Sequence, residues 1–136
     1  MLLLRDNEDG VWTRHKYRGA AIELKIRACG AEKLEQIRKR HKKIEYAKDP
    51  QSRQTVKLES YNEDAIFSDM IDYMLEDFSG IGTAPDKPLD CTPENKKRVL
   101  LIPPASGEQP LFDFVLERAR ELEVIQQQEF ESEIKN

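Results

Sequence analysis

Residues 80–93, GIGTAPDKPLDCTP, admit neither a helix nor a long regular strand. Gly80 and Gly82 break whatever precedes them, and Pro85 and Pro88 remove backbone donors and fix φ. Thr92-Pro93-Glu94 restarts a helix, with threonine as N-cap, proline at the first helical position and glutamate in the first turn. Residues 80–92 therefore read as a connector between two helices, and the rest of the chain must be built from separate elements on either side of it.

Upstream, the periodicity changes once. In AAIELKIRA, Ile22, Leu24 and Ile26 alternate with Glu23, Lys25 and Arg27, the period of a strand with one dry face. With VWTRHKYR before it and Gly19 at the reversal, residues 11–28 read as a β-hairpin. After Gly30 the spacing of Leu34, Ile37, His41 and Ile44 predicts a helix over 31–46 with a basic opposite face. Asp49-Pro50 ends that pattern, and QTVKLES reads as a short extended segment.

A second helix is predicted over 62–79. Ser60 and Glu63 form a capping-box pattern with Asn62 competing as N-cap, and Phe67, Met70, Ile71, Met74, Leu75 and Phe78 follow helical spacing up to a Gly80 C-cap. A third is expected over 93–102, stopped by Pro103-Pro104, and a fourth over 107–130 with a frayed tail. Phe112, Val115, Ala119 and Leu122 form a narrow seam on that last helix, suited either to another helix of a partner or to the domain's own core. The expected fold is α+β: one small domain over 1–136, predominantly helical, with an N-terminal β-hairpin.

Charge divides the chain more sharply than its net value of −4 conveys. Residues 14–43 hold eleven Lys or Arg against three acids, and residues 59–94 hold ten acids against one Lys. That polarity can hold two parts of a fold together or let copies associate. With 38% apolar residues the core is lean. No apolar run approaches the roughly 20 residues of a membrane span. The leader MLLLRD lacks a basic lead and a long apolar region, and Cys29 and Cys91 are isolated in sequence, which together imply a soluble cytoplasmic protein with reduced thiols.

The chemistry-bearing residues do not assemble into a motif. Asp86, Asp90 and Glu94 miss the EF-hand spacing and include Lys87 among them. Cys29, Cys91, His15 and His41 contain no paired-ligand spacing for zinc. Cys91 precedes a predicted helix start, a position that can activate a thiol, but no base accompanies it. No cofactor, metal or catalytic residue is expected. The basic run Arg38–Lys43 could bind phosphates, which makes a small nucleic-acid-binding regulator the alternative function, although no aromatic ladder accompanies it.

The order of features in DYMLEDFSGIGTAPDKPLDCTPENKKRVLL, centred on Tyr73 to Leu101, resembles the small tail assembly chaperones of long-tailed bacteriophages. The residues that carry the resemblance are Phe78, Gly80 and Ile81 in the turn, Pro88 and Leu89 in the connector, and Thr92, Pro93 and Glu94 at the helix start. Upstream, GVWTRHKYRGAAIELKIRA is similar to that family's N-terminal hairpin; Phe78 stands where the family would be expected to carry tryptophan. The resemblance implies a non-enzymatic factor that binds the tape measure protein, keeps it soluble and recruits tail tube protein. It implies action in the bacterial host cytoplasm, absence from the mature virion and, in many relatives, a frameshifted longer product. On this reading the seam Phe112, Val115, Ala119 and Leu122 is the first candidate for the partner face.

Overall fold

Strand β1 (Val11–Tyr17) turns through Arg18 and Gly19 into β2 (Ala20–Ile26), in a register that sets Tyr17 opposite Ala20 and Val11 opposite Ile26. Both turn residues lie at positive φ, 51° and 81°, the geometry that matches a two-residue turn to the twist of its strands. The structure, a computed structural model, describes residues 9–135, so the MLLLRD leader lies outside the described residues. Ile22, Leu24 and Ile26 point into the core as their alternation predicts, and Glu23 and Lys25 face outward.

The chain then departs from the expected helical plan at two places. The first helix, α1 (Ala31–Arg40), ends six residues before the expected 46, and Lys42–Lys48 is a strand, β3, paired along its whole length with β4 (Thr55–Tyr61). KKIEYAK alternates as well as it spirals. What decides between the two is a second seven-residue segment able to pair with it, and Glu59 takes both Lys42, at 3.1 Å across the ladder, and Lys57, at 3.2 Å. The extended reading of QTVKLES holds as β4.

The second departure follows α2 (Glu63–Met74), where Asn62 is the N-cap, accepting from the Ala65 amide at 3.2 Å. The helix was expected to reach 79, but Leu75–Ser79 is a strand, β5, added to the free side of β2 to give the order β1-β2-β5. Leu75 and Phe78 are three apart, a helical spacing that in a regular strand would put them on opposite faces. The ladder pairs Leu75 with Ile26, Asp77 with Lys25 and Phe78 with Leu24, so Glu76 is the extra residue of a bulge, and both apolar side chains turn inward. The fold is therefore a mixed α+β arrangement and not a predominantly helical one. Glu76 is placed by its bulge on the outer face, where its carboxylate meets Lys25 at 2.5 Å, Arg27 at 3.2 Å and the Gly10 amide at 3.2 Å. The Lys25 ammonium above all holds that carboxyl below the usual range, against the opposing pull of partial burial.

The connector contains a miniature hairpin, β6 (Gly82–Ala84) with β7 (Lys87–Pro88), followed by α3 (Pro93–Leu100) and α4 (Leu111–Lys135). The Thr92 hydroxyl accepts from the Asn95 amide at 3.1 Å, as an N-cap should. Thr92→Ala is expected to lower stability by about 1 kcal/mol in denaturant unfolding. The last helix starts four residues later than expected, its first turn closed by the Phe114 amide donating to the Pro110 carbonyl at 3.1 Å, and it continues past 130. Helices α2, α3 and α4 close one core over the inner face of the three-stranded sheet, built from Leu24, Ile26, Ile71, Met74, Leu75, Val99, Leu100, Leu111 and Val115 among others.

Candidate protein-binding surfaces

The seam expected to meet a partner lies inside the domain. Val115 and Ala119 are 0% exposed and Leu122 5%, all within the core. Phe112 packs half-buried against it, its ring 5.0 Å from that of Phe67. The Ala119 carbonyl accepts from the Cys29 amide at 3.1 Å, which ties α4 to the end of β2. A lean chain uses this stripe to fold, and the seam presents no open face to a partner. On the flank of the same helix, Phe114 stacks on His15 at 3.8 Å, and burial pushes the His15 imidazole below its ordinary pKa against the pull of Glu108.

The apolar side chains left uncovered lie elsewhere. The β3–β4 hairpin projects as an arm whose residues 43–60, apart from Asp49, are exposed on both faces, among them Ile44, Tyr46, Val56 and Leu58. Its base is fastened to the body: His41 Nε2 lies 2.5 Å from the Asp69 carboxylate, the Asn62 amide donates to the His41 carbonyl at 3.1 Å, and Arg38 sits 4.7 Å over the Tyr61 ring. At its tip Asp49 accepts from the Gln51 amide and the Ser52 hydroxyl, which lower its carboxyl pKa.

This arm also divides the basic run expected on one helix. Arg38, Lys39 and Arg40 end α1, His41 caps it, and Lys42 and Lys43 begin β3, each paired with a glutamate, Glu59 and Glu45. No single helical face collects residues 38–43.

The second uncovered surface is the distal half of α4. Val124, Ile125 and Phe130 are exposed, flanked by Glu121, Glu129 and Glu131. Phe130 borders an open cleft of about 430 Å³ between α4, α1 and the end of α2, whereas Val124 and Ile125 lie on another side of the helix. Gln126, Gln127 and Phe130 line its α4 wall, and Tyr73 lies within it, its ring carrying Lys33 at 4.3 Å and Arg27 at 5.4 Å. The cleft is pinched at Gly30, where an added Cβ would fall 2.8 Å from Glu123 Cγ. Glu32, Lys33 and Glu123 also line the cleft, so its walls are charged as well as amide-bearing.

The motif residues form a corner and not a site. Phe78 is buried opposite Leu24, Gly80 turns the chain at φ 84°, and the Leu89 amide donates to the Ile81 carbonyl at 2.9 Å, with both of those side chains packed on the core. Pro88 lies exposed in β7, and Pro93 and Glu94 occupy the first turn of α3. Among the described residues no three His, Cys, Asp or Glu side chains gather as metal ligands. Burial pushes both thiols above their ordinary pKa, Cys29 in the core and Cys91 beside the Glu76 carbonyl.

Sequence reasoning had passed over Tyr46, Val56, Leu58 and Phe130 as surface features. The alternation in 42–48 and 55–61 was the available signal for the first three; Phe130 lay in a tail expected to fray. Among the described residues no helix is long and apolar enough to cross a membrane. No family model, no curated protein and no solved structure matches this chain.

Proposed function

We propose that this chain is a non-enzymatic assembly factor of the phage tail chaperone type. It holds a tape measure protein soluble in the host cytoplasm, helps load tail tube protein onto it and departs before the virion is complete. The observation that carries the reading is the distal half of α4: Val124 and Ile125 are exposed on one side of the helix, and Phe130, exposed on another side, lines with Tyr73 an open cleft. A factor that must cover a long apolar helix and then release it needs many modest contacts, and small separate apolar patches supply them better than one broad apolar face. The resemblance from Tyr73 to Leu101 supports the same reading. The partner face moves, accordingly, from the buried seam to the outer half of the same helix.

The test is co-expression with a phage tape measure protein, taken from the genes flanking this one where one is found there. The unmutated chain is expected to raise the soluble fraction of that protein and to co-purify with it. Val124→Asp combined with Phe130→Asp is expected to abolish co-purification while circular dichroism stays unchanged, because both side chains are already in solvent. If the unmutated chain gives no gain in solubility across several expression conditions, the chaperone reading falls.

A further inference from the structure

A two-stranded hairpin exposed on both faces is marginal in water, and the β3–β4 arm is one with no further strand on either side among the described residues. We infer that the arm is completed by a second copy of this chain, β4 pairing antiparallel with β4 about a two-fold axis through Leu58 to make one four-stranded sheet. This inference is independent of what the chaperone site binds.

The backbone points to this edge first. The ladder is hydrogen-bonded at both ends, by the Asp49 amide to the Gln54 carbonyl at 2.9 Å and by the Asn62 amide to the His41 carbonyl at 3.1 Å. In an antiparallel ladder, bonded pairs alternate along each strand. With Glu45 opposite Leu58, the groups of Val56, Leu58 and Ser60 point at β3, and those of Thr55, Lys57, Glu59 and Tyr61 point outward to the open edge.

The side chains then select the register. Centring the pair on Leu58 overlaps the whole of β4 and brings outward-pointing residues together: Thr55 with Tyr61 of the second copy, and Lys57 with Glu59 of the second copy, twice by symmetry. Shifting the centre to 57 or 59 would instead set lysine against lysine or glutamate against glutamate. The corresponding full overlap of β3 fails the same test, since it opposes Lys42 to Lys48 and Glu45 to Glu45. On the other face, Leu58 meets Leu58 of the second copy and Val56 lies opposite Ser60 of the second copy, with Glu45 and Ala47 of β3 behind Leu58 and Val56. The edge is thus complementary to itself in backbone, charge and apolar contact, as an isologous interface requires.

Sedimentation of the full chain over a concentration series tests this directly. The expected result is a concentration-dependent doubling of mass. Lys57→Glu should leave only the single-chain mass, and Lys57→Glu with Glu59→Lys should restore the doubled mass, since the two intermolecular pairs return reversed. Circular dichroism of each variant is needed to show that the arm itself survives, because Glu59 also pairs inside it with both Lys42 and Lys57. The register is read by cross-linking in a Cys91→Ser background, which removes the exposed native thiol. Leu58→Cys places two sulfurs on the axis in a non-hydrogen-bonded pair, with Cα atoms about 4.5 Å apart, a span a disulfide accepts. Val56→Cys, on the same face but opposite Ser60, should not cross-link. A single-chain mass at every concentration, an open-ended series of larger species, or equal cross-linking of the two cysteine variants would each overturn the inference.

Discussion

Val115→Asp is expected to unfold the domain. Val115 has no solvent exposure and sits among Leu111, Ala119 and Leu122 in the core that α4 shares with the sheet. A carboxylate there finds no partner, so the fold must either bury a charge or hold the group protonated at neutral pH, and both are costly. Losses of this type exceed about 4 kcal/mol, a large share of the roughly 5–15 kcal/mol that holds a domain together. Thermal unfolding followed by circular dichroism is expected to show no cooperative transition at 37 °C. The comparison is Val124→Asp on the outer face of the same helix, expected within about 0.5 kcal/mol of the unmutated chain. A folded, cooperative Val115→Asp protein would return the seam to the list of partner surfaces.

That seam shows where sequence stops being informative. Phe112, Val115, Ala119 and Leu122 announce a helix with one dry stripe, but the spacing is the same whether the stripe meets its own sheet or another protein. Only the position of the three-stranded sheet decides it. The N-terminal hairpin and the Thr92 cap were legible because each rests on interactions within a few residues; Gly80 takes its positive φ after strand β5 and is not the C-cap of α2, which ends at Met74. Leu75 and Phe78 were not legible. Their spacing fits a helix, and it fits a strand only once a bulge at Glu76 is admitted, a device set by pairing with Leu24 and Ile26 some fifty residues earlier. Strand β3 was obscured in the same way: its residues read as the end of a helix, and the pairing that makes them a strand, with the already extended β4, lies across a turn. In both cases tertiary pairing overrode a local helical preference.

Gly82→Ala is expected to open the connector, at a cost of about 2–3 kcal/mol by the measure of overpacked sites. The reason is contact and not conformation: an added Cβ would lie 2.4 Å from the Lys87 carbonyl oxygen and 3.1 Å from that of Ala84. Both obstacles are backbone atoms, so no side chain can swing away to make room. Relief requires β6 to separate from β7, next to Ile81 and Leu89, whose backbone bond at 2.9 Å closes the connector and whose side chains pack on the core. Gly80→Ala acts by the other route, since φ 84° is a region alanine enters at a cost of about 1–2 kcal/mol, with the Ala21 carbonyl oxygen 3.0 Å from its Cβ. Amide exchange separates local from global effects: in Gly82→Ala the Leu89 amide should lose protection first, while Leu24 in the central strand keeps it. If Leu89 stays protected and the unfolding midpoint does not move, the turn has relaxed around the methyl group and the connector is not the rigid corner that the approach of Gly82 to Lys87 implies.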